Sequence, residues 1–161
     1  MNIFVTGGAG YIGSHICVEL LTANHEVVVF DNFSNSSLEA LLRVEHITGR
    51  KLTIIEGDIR DQVLIETVLR KYDCQAVMHF AGLKAVSESV NSPLEYYDNN
   101  VVGTLHLLNA MSNCGVNTLL FSSSATVYGR PQYLPLTEAH SLSTTNPYGR
   151  TKLMIEEILR D

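Results

Sequence analysis

The segment Asn146-Pro147-Tyr148-Gly149-Arg150-Thr151-Lys152 places a phenol and an ammonium four residues apart. If Asn146 caps a helix and Pro147 opens it, Tyr148 and Lys152 share one helix face. A free phenol has a pKa near 10 and is a poor base at neutral pH. An ammonium one turn away and a helix N-terminus both stabilise phenolate. Such a pair is suited to taking a proton from an alcohol while hydride leaves the carbon. Lys152 also has the reach to hydrogen-bond a cofactor ribose. A second Tyr-Gly-Arg begins at Tyr128, but the residue four on is Gln132, so only one copy carries the pair. Tyrosine–lysine pairs at this spacing are common on solvated helix faces, so the meaning of this one depends on what lies upstream.

Upstream, Thr6-Gly7-Gly8-Ala9-Gly10-Tyr11-Ile12-Gly13 follows an apolar run and opens a helical pattern. It contains Gly8-x-Gly10-x-x-Gly13, with Gly7 and Gly10 also three apart. A tight strand-to-helix turn without side chains lets a pyrophosphate approach the backbone and the helix N-terminus. Asp31 closes the next apolar run eighteen residues after Gly13. An acid there accepts hydrogen bonds from an adenosine ribose diol and repels a 2′-phosphate, which favours NAD over NADP. Asp31 also suits capping the turn at Asn32, and the two roles are compatible. Asp58 suits either contact with an adenine amino group or a helix N-cap. Lys84, after the small Ala81 and Gly82, suits a phosphate contact or a solvated surface. Ser124 is placed to share a substrate hydroxyl with Tyr148.

The elements that must position these residues alternate. Runs 2–6, 26–30, 51–55, 75–80 and 117–122 are short, apolar and rich in β-branched residues, and read as buried strands. Helical spacing fills 11–23, 36–48, 61–71, 93–113 and 148–160. The alternation implies an α/β fold, a doubly wound parallel sheet of the dinucleotide-binding (Rossmann) type, over residues 1–161. The longest irregular piece is 125–147, and a long loop in a compact domain is more often functional than idle. The pattern ends inside a helix where another strand is expected, so the chain reads as the first part of a larger protein whose substrate domain follows.

The 45% hydrophobic and 17% charged content fits a globular chain. A net charge of −6 with scattered Lys and Arg gives no footprint for nucleic acid. No apolar run approaches the roughly 20 residues of a membrane span. The N-terminus opens on strand-like residues rather than a secretion leader. Cys17, Cys74 and Cys114 are odd in number and far apart, as in reduced cytosolic proteins. No histidine spacing suggests a metal.

Taken together, TGGAGYIGSH, DNFSNSS, EGDIR, HFAGLKAV, PLEYYDNN, SSSATVYG and NPYGRTK resemble, in order and across all 161 residues, the extended short-chain dehydrogenase/reductase family. The resemblance implies a cytoplasmic isomerase with tightly held NAD, acting on UDP-sugars in galactose metabolism. Tyr148 would take the proton of the sugar 4-hydroxyl while C4 gives hydride to NAD. The keto sugar would turn over, and hydride would return to its other face. By similarity Gly7, Gly10, Tyr11, Ile12, Gly13, Asp31, Asn32, Ser36, Asp58, Ile59, Phe80, Ala81, Gly82, Lys84, Asn99, Ser124, Tyr148 and Lys152 would line the cofactor. Lys84, Ser124 and Tyr148 would meet substrate. The helix carrying Asn99 would help form a homodimer in the full-length protein, with Tyr96 and Tyr97 packing. The chain departs from the family at Arg150-Thr151, where a Lys-like residue and Ser are usual, and in a loop about one residue short before Tyr148. Alternatives within the family are epimerases of N-acetylhexosamines or uronates. A 4,6-dehydratase is disfavoured because Ser124-Ala125-Thr126 stands where that chemistry resembles Thr-Asp-Glu. A catalytically incomplete NAD-binding fragment is the alternative of a different class.

Overall fold

Each apolar run becomes a parallel strand: β1 (Asn2–Thr6), β2 (Glu26–Asp31), β3 (Thr53–Glu56), β4 (Ala76–His79) and β5 (Leu119–Phe121). The strand order is β3-β2-β1-β4-β5. The winding therefore reverses between β1 and β4, where ligands bind doubly wound sheets. Alternate residues of each strand face opposite ways. Ile3, Val5, Val27 and Val29 pack on helices α1 (Tyr11–Thr22) and α2 (Leu38–Thr48), through Cys17, Leu20, Leu21, Leu41 and Val44. Phe4, Val28 and Phe30 pack on α3 (Gln62–Lys71) and on Leu107, Ala110 and Met111. Burial on both faces explains why these strands read as continuous apolar runs.

The computed structural model describes all 161 residues, in two compact units: Met1–Ala81 with Leu105–Ser122, and Gly82–Thr104 with Ser123–Asp161. The whole sheet belongs to the first. The strand expected from residue 51 starts at Thr53, because Glu45 accepts from Lys51 Nζ (2.7 Å) and Leu52 N–H (2.9 Å) and diverts the chain from the ladder.

The expected single helix over 93–113 is broken into α5 (Pro93–Tyr96) and a π-helical turn (Tyr97–Val102), both in the second unit, and α6 (Gly103–Cys114), most of which belongs to the first. A further helix, α4 (Val86–Asn91), was not expected. Its polar residues carry no apolar period. The Tyr96 hydroxyl fastens its start, accepting from Ala85 N–H (3.0 Å) and donating towards Ala85 O (2.9 Å) and Glu88 Oε2 (2.6 Å). Burial, with Glu88 beside it, pushes that phenol up to about 12.

The long loop contains a 3₁₀ turn (Ala125–Tyr128) and then closes on itself, Ser143 N–H donating to Val127 O. His140 fills its centre: Nε2 accepts from Gln132 N–H, Nδ1 faces Ser141 O, and the rings of Tyr128 and Tyr133 pack around it. Helix α7 (Pro147–Arg160) follows, with Asn146 as N-cap as expected.

No helix is long and apolar enough to cross a membrane. No group of three or more His, Cys, Asp or Glu could hold a metal ion. The three cysteines are free, and burial pushes Cys17 up to about 12 and Cys74 to about 11.

Candidate dinucleotide and proton-transfer sites

The glycine turn is built by close backbone approach. Gly7 has φ +67°, and a Cβ there would lie 2.5 Å from Ala81 N and 2.7 Å from Phe80 C. Only glycine meets both demands. Gly7, Phe80 and Ala81 are thereby brought together, and Gly13 is buried against the Gly7–Gly8 backbone. Helix α1 begins at Gly10 with no side-chain cap and no acid in its first turn. Its leading N–H groups and dipole suit an anion. Tyr11 and Ile12, on that turn, are 75% and 53% exposed.

Asp31, buried at the end of β2, ties this turn to the next loop. Its Oδ2 accepts from Ala9 N–H (2.9 Å), and its Oδ1 from Phe33 N–H (2.9 Å) and Ser36 Oγ (2.8 Å). The turn-capping role is therefore real, through Phe33. A carboxylate offers about four acceptor positions, so one remains on Oδ2 for a ribose hydroxyl.

Asp58 does not cap a helix. Asp61 does so for α3, accepting from Leu64 N–H (3.0 Å). Asp58 instead accepts from Arg60 N–H, Nε and Nη2, and from Asn32 Nδ2 at 3.2 Å. Those bonds, the Arg60 guanidinium foremost, hold its carboxyl well below the usual range. The Asn32 contact is the longest and the easiest for an adenine amino group to replace. Ile59 contributes its side chain to the core (5% exposed), so what it can offer a ligand is backbone.

The remaining expected residues, Gly82, Lys84, Asn99, Ser124, Tyr148 and Lys152, belong to the second unit. Lys84 is exposed on the turn after β4, and Asn99 Nδ2 donates to Asn100 Oδ1 (2.9 Å). The Ser124 hydroxyl accepts from Thr126 N–H (3.2 Å) and Thr126 Oγ1 (2.9 Å). Both its lone pairs are engaged, which leaves its proton to donate. Gly149 lets this turn sit against α7: a Cβ there would lie 3.0 Å from Thr126 O and 3.1 Å from Thr126 Oγ1.

Tyr148 is half-buried, and its backbone is held at both ends. Its N–H donates to Ser89 Oγ (3.2 Å), and its C=O accepts from Thr151 Oγ1 (2.7 Å). Thr151 in turn accepts from Asn100 Nδ2 (3.1 Å). Asn100, 2% exposed in the π-helical turn, also donates to Leu83 O and accepts from Leu83 N–H. It uses all four of its hydrogen-bonding positions, and π-helical turns often mark functional sites. Lys152 is 6% exposed, and burial pushes its ammonium down to about 8.

Sequence reasoning missed Asn100, Thr151, Ser89 and Gly149. One signal existed for Asn100: it shares the buried face of Tyr96 and Thr104, four residues to either side, where an unpaired amide would be costly.

Residues 4–161 match the family model described as GDP-mannose 4,6 dehydratase, and the chain belongs to that family. Its relatives are more particular. The UDP-glucose 4-epimerase of Bacillus subtilis is 59% identical over 161 residues, covering 100% of this chain and 48% of that protein. Among solved structures, the Bifidobacterium longum UDP-glucose 4-epimerase in complex with NAD+ and UDP is 52% identical with a TM-score of 0.98. The Stenotrophomonas maltophila enzyme, with bound NAD and formylated UDP-arabinopyranose, is 47% identical with a TM-score of 0.98. Each covers 100% of this chain and 48% of the solved chain. The chain thus spans about half the length of the relatives it matches.

Proposed function

We propose that this chain carries the NAD-binding and proton-transfer part of an isomerase that interconverts UDP-galactose and UDP-glucose at sugar C4. The observation that carries the reading is the pairing, in one chain, of an uncapped glycine-turn helix facing Asp31 with a Tyr148 whose backbone is fixed at both ends. The names of the relatives point the same way.

The residues fit NAD. The turn at Gly7 and Gly10 admits a diphosphate, and Asp31 keeps one acceptor position for an unphosphorylated ribose. Bound NAD supplies hydride acceptance and return at the sugar carbon. The proton transfer falls to the chain. Tyr148 takes the proton of the 4-hydroxyl and later gives it back, while the Ser124 hydroxyl donates to the same sugar oxygen. Lys152, held as a buried ammonium, stabilises the phenolate one turn away and hydrogen-bonds the cofactor ribose. Lys84 serves a phosphate. The protein works as a cytoplasmic homodimer in galactose metabolism.

The turn after β5 favours epimerisation over dehydration, although the family bears a dehydratase's name. Ser124-Ala125-Thr126 carries no acid to protonate a leaving hydroxyl, and Thr126 is occupied with Ser124. The test supplies the chain with NAD and UDP-galactose and separates the products. UDP-glucose without an added hydride donor is the expected result. NAD bound without product would reduce the reading to a cofactor-binding part. The same assay on a chain of the relatives' length would then decide the activity.

A further inference from the structure

Neither group holding the Tyr148 backbone takes part in the chemistry above, and one of them, Ser89, comes from outside α7. Ser89 lies within α4 and is fully buried (0% exposed). Its hydroxyl donates to Val86 O (2.7 Å) and accepts from Tyr148 N–H (3.2 Å). The other early donors of α7 are already served. Pro147 has no N–H, Gly149 N–H goes to Asn146 Oδ1 (2.8 Å), and Arg150 N–H goes to Asn146 O (3.0 Å). Ser89 is therefore the acceptor that completes the first turn, and it comes from another helix. That helix is itself anchored, since Tyr96 grips both backbone groups of Ala85 and the Glu88 carboxylate.

We propose that Ser89 is a positioning residue for proton transfer. It fixes the angle at which the first turn of α7 presents the Tyr148 phenol, acting through the Tyr148 backbone amide. The proposal rests on the reading of Tyr148 as the proton-transfer group. Without Ser89, the Tyr148 amide is left buried or half-buried without its acceptor, and the turn is free to tilt. The proton-transfer distance depends on that tilt. The cofactor turn at Gly7 does not depend on it.

The test compares the NAD-loaded chain with its Ser89→Ala variant, and with Ser89→Cys as a near-isosteric second variant should alanine prevent folding. Amide hydrogen exchange at Tyr148 reads the contact itself. In Ser89→Ala it is expected to quicken at least about ten-fold, while Gly149, capped by Asn146, keeps its wild-type rate. Unchanged exchange at Tyr148 overturns the proposal whether or not the chain turns over sugar. The product assay reads the consequence. We expect kcat to fall by about ten-fold or more, with KM for UDP-galactose and the NAD content unchanged, because small misplacements cost rate rather than binding. A wild-type kcat in Ser89→Ala overturns the positioning role, as does a fall explained entirely by lost NAD. If the wild-type chain itself forms no UDP-glucose, the failure belongs to the epimerase reading for this chain, and the exchange rates alone decide the role of Ser89.

Discussion

The two helix N-termini that matter chemically are finished in opposite ways. Helix α1 starts on Gly10, which has no side chain to cap it, and its first turn holds no acid. Helix α7 starts on Asn146, whose side chain takes Gly149 N–H, followed by Pro147, which has no N–H, and Tyr148, whose N–H is taken by Ser89. The open end keeps its orphan donors and its dipole for an anion. The closed end has no donor left to offer a ligand and instead holds a side chain at a set angle. Two helices of similar length, 12 and 14 residues, thus acquire different uses from how their first turns are capped.

The comparison can be broken from either end. Tyr148→Phe removes the phenol and leaves the first turn of α7 intact. Turnover should fall about 10³-fold or more, in the range expected for a lost general base, with bound NAD unchanged in the same preparation. A variant that still converts UDP-galactose at the wild-type rate would remove Tyr148 from the chemistry.

Lys152 probes burial at the closed end. Burial pushes its ammonium down to about 8 in the folded chain, against an ordinary 10.5. Between those values the unfolded chain holds more protons, so stability should rise with pH from about 8 to 10.5. The displacement corresponds to roughly 3 kcal/mol. Lys152→Met should flatten that rise and be more stable at pH 7 by up to that amount, as read from urea midpoints across the pH series. Parallel curves for the two proteins would mean that burial does not govern this ammonium.

Gly10→Asp closes the open end with a carboxylate. The substituted Cβ meets only Gly7 O, at 3.3 Å, so the turn should survive. NAD affinity should drop about 100-fold, since an acid at the first turn takes the donors and repels a diphosphate. Calorimetric titration with NAD would show it, and unchanged affinity would mean that the α1 terminus is not the diphosphate seat.

The smallest expected effect is at the other cap. Asn146→Ala should cost about 1 kcal/mol of stability, seen as a lower denaturant midpoint, and leave NAD affinity alone. A loss of NAD affinity of the size expected for Gly10→Asp would undo the contrast between the two ends.

Much of the first unit was legible beforehand. Its five strands, its first three helices, the glycine turn and Asp31 follow from local spacing, since strand and helix periods and turn glycines are written over a few residues each. The second unit was less so. Helix α4 has no apolar period of its own and depends on Tyr96. The break at Tyr97–Val102 lies in a stretch whose apolar pattern predicted one helix. Asp58 was open between two roles, and only the fold showed that Asp61, not Asp58, caps α3.

What the sequence by itself determined is therefore the parallel α/β architecture, the glycine turn and the acid at the end of β2, and the placement of Tyr148 and Lys152 one turn apart behind an Asn146 cap. All of these are relations between residues close in the chain, where backbone geometry leaves little choice. Tertiary structure decided how those groups are tuned. It buried Lys152 and moved its pKa, surrounded Asp58 with donors, seated the Ser124 turn on Gly149, and held the Tyr148 backbone between Ser89 and the Asn100–Thr151 pair. Apart from the Arg60 donors, two residues from Asp58, these depend on desolvation, on close packing or on a hydrogen bond between residues far apart in sequence, and none of those exists until the chain has folded.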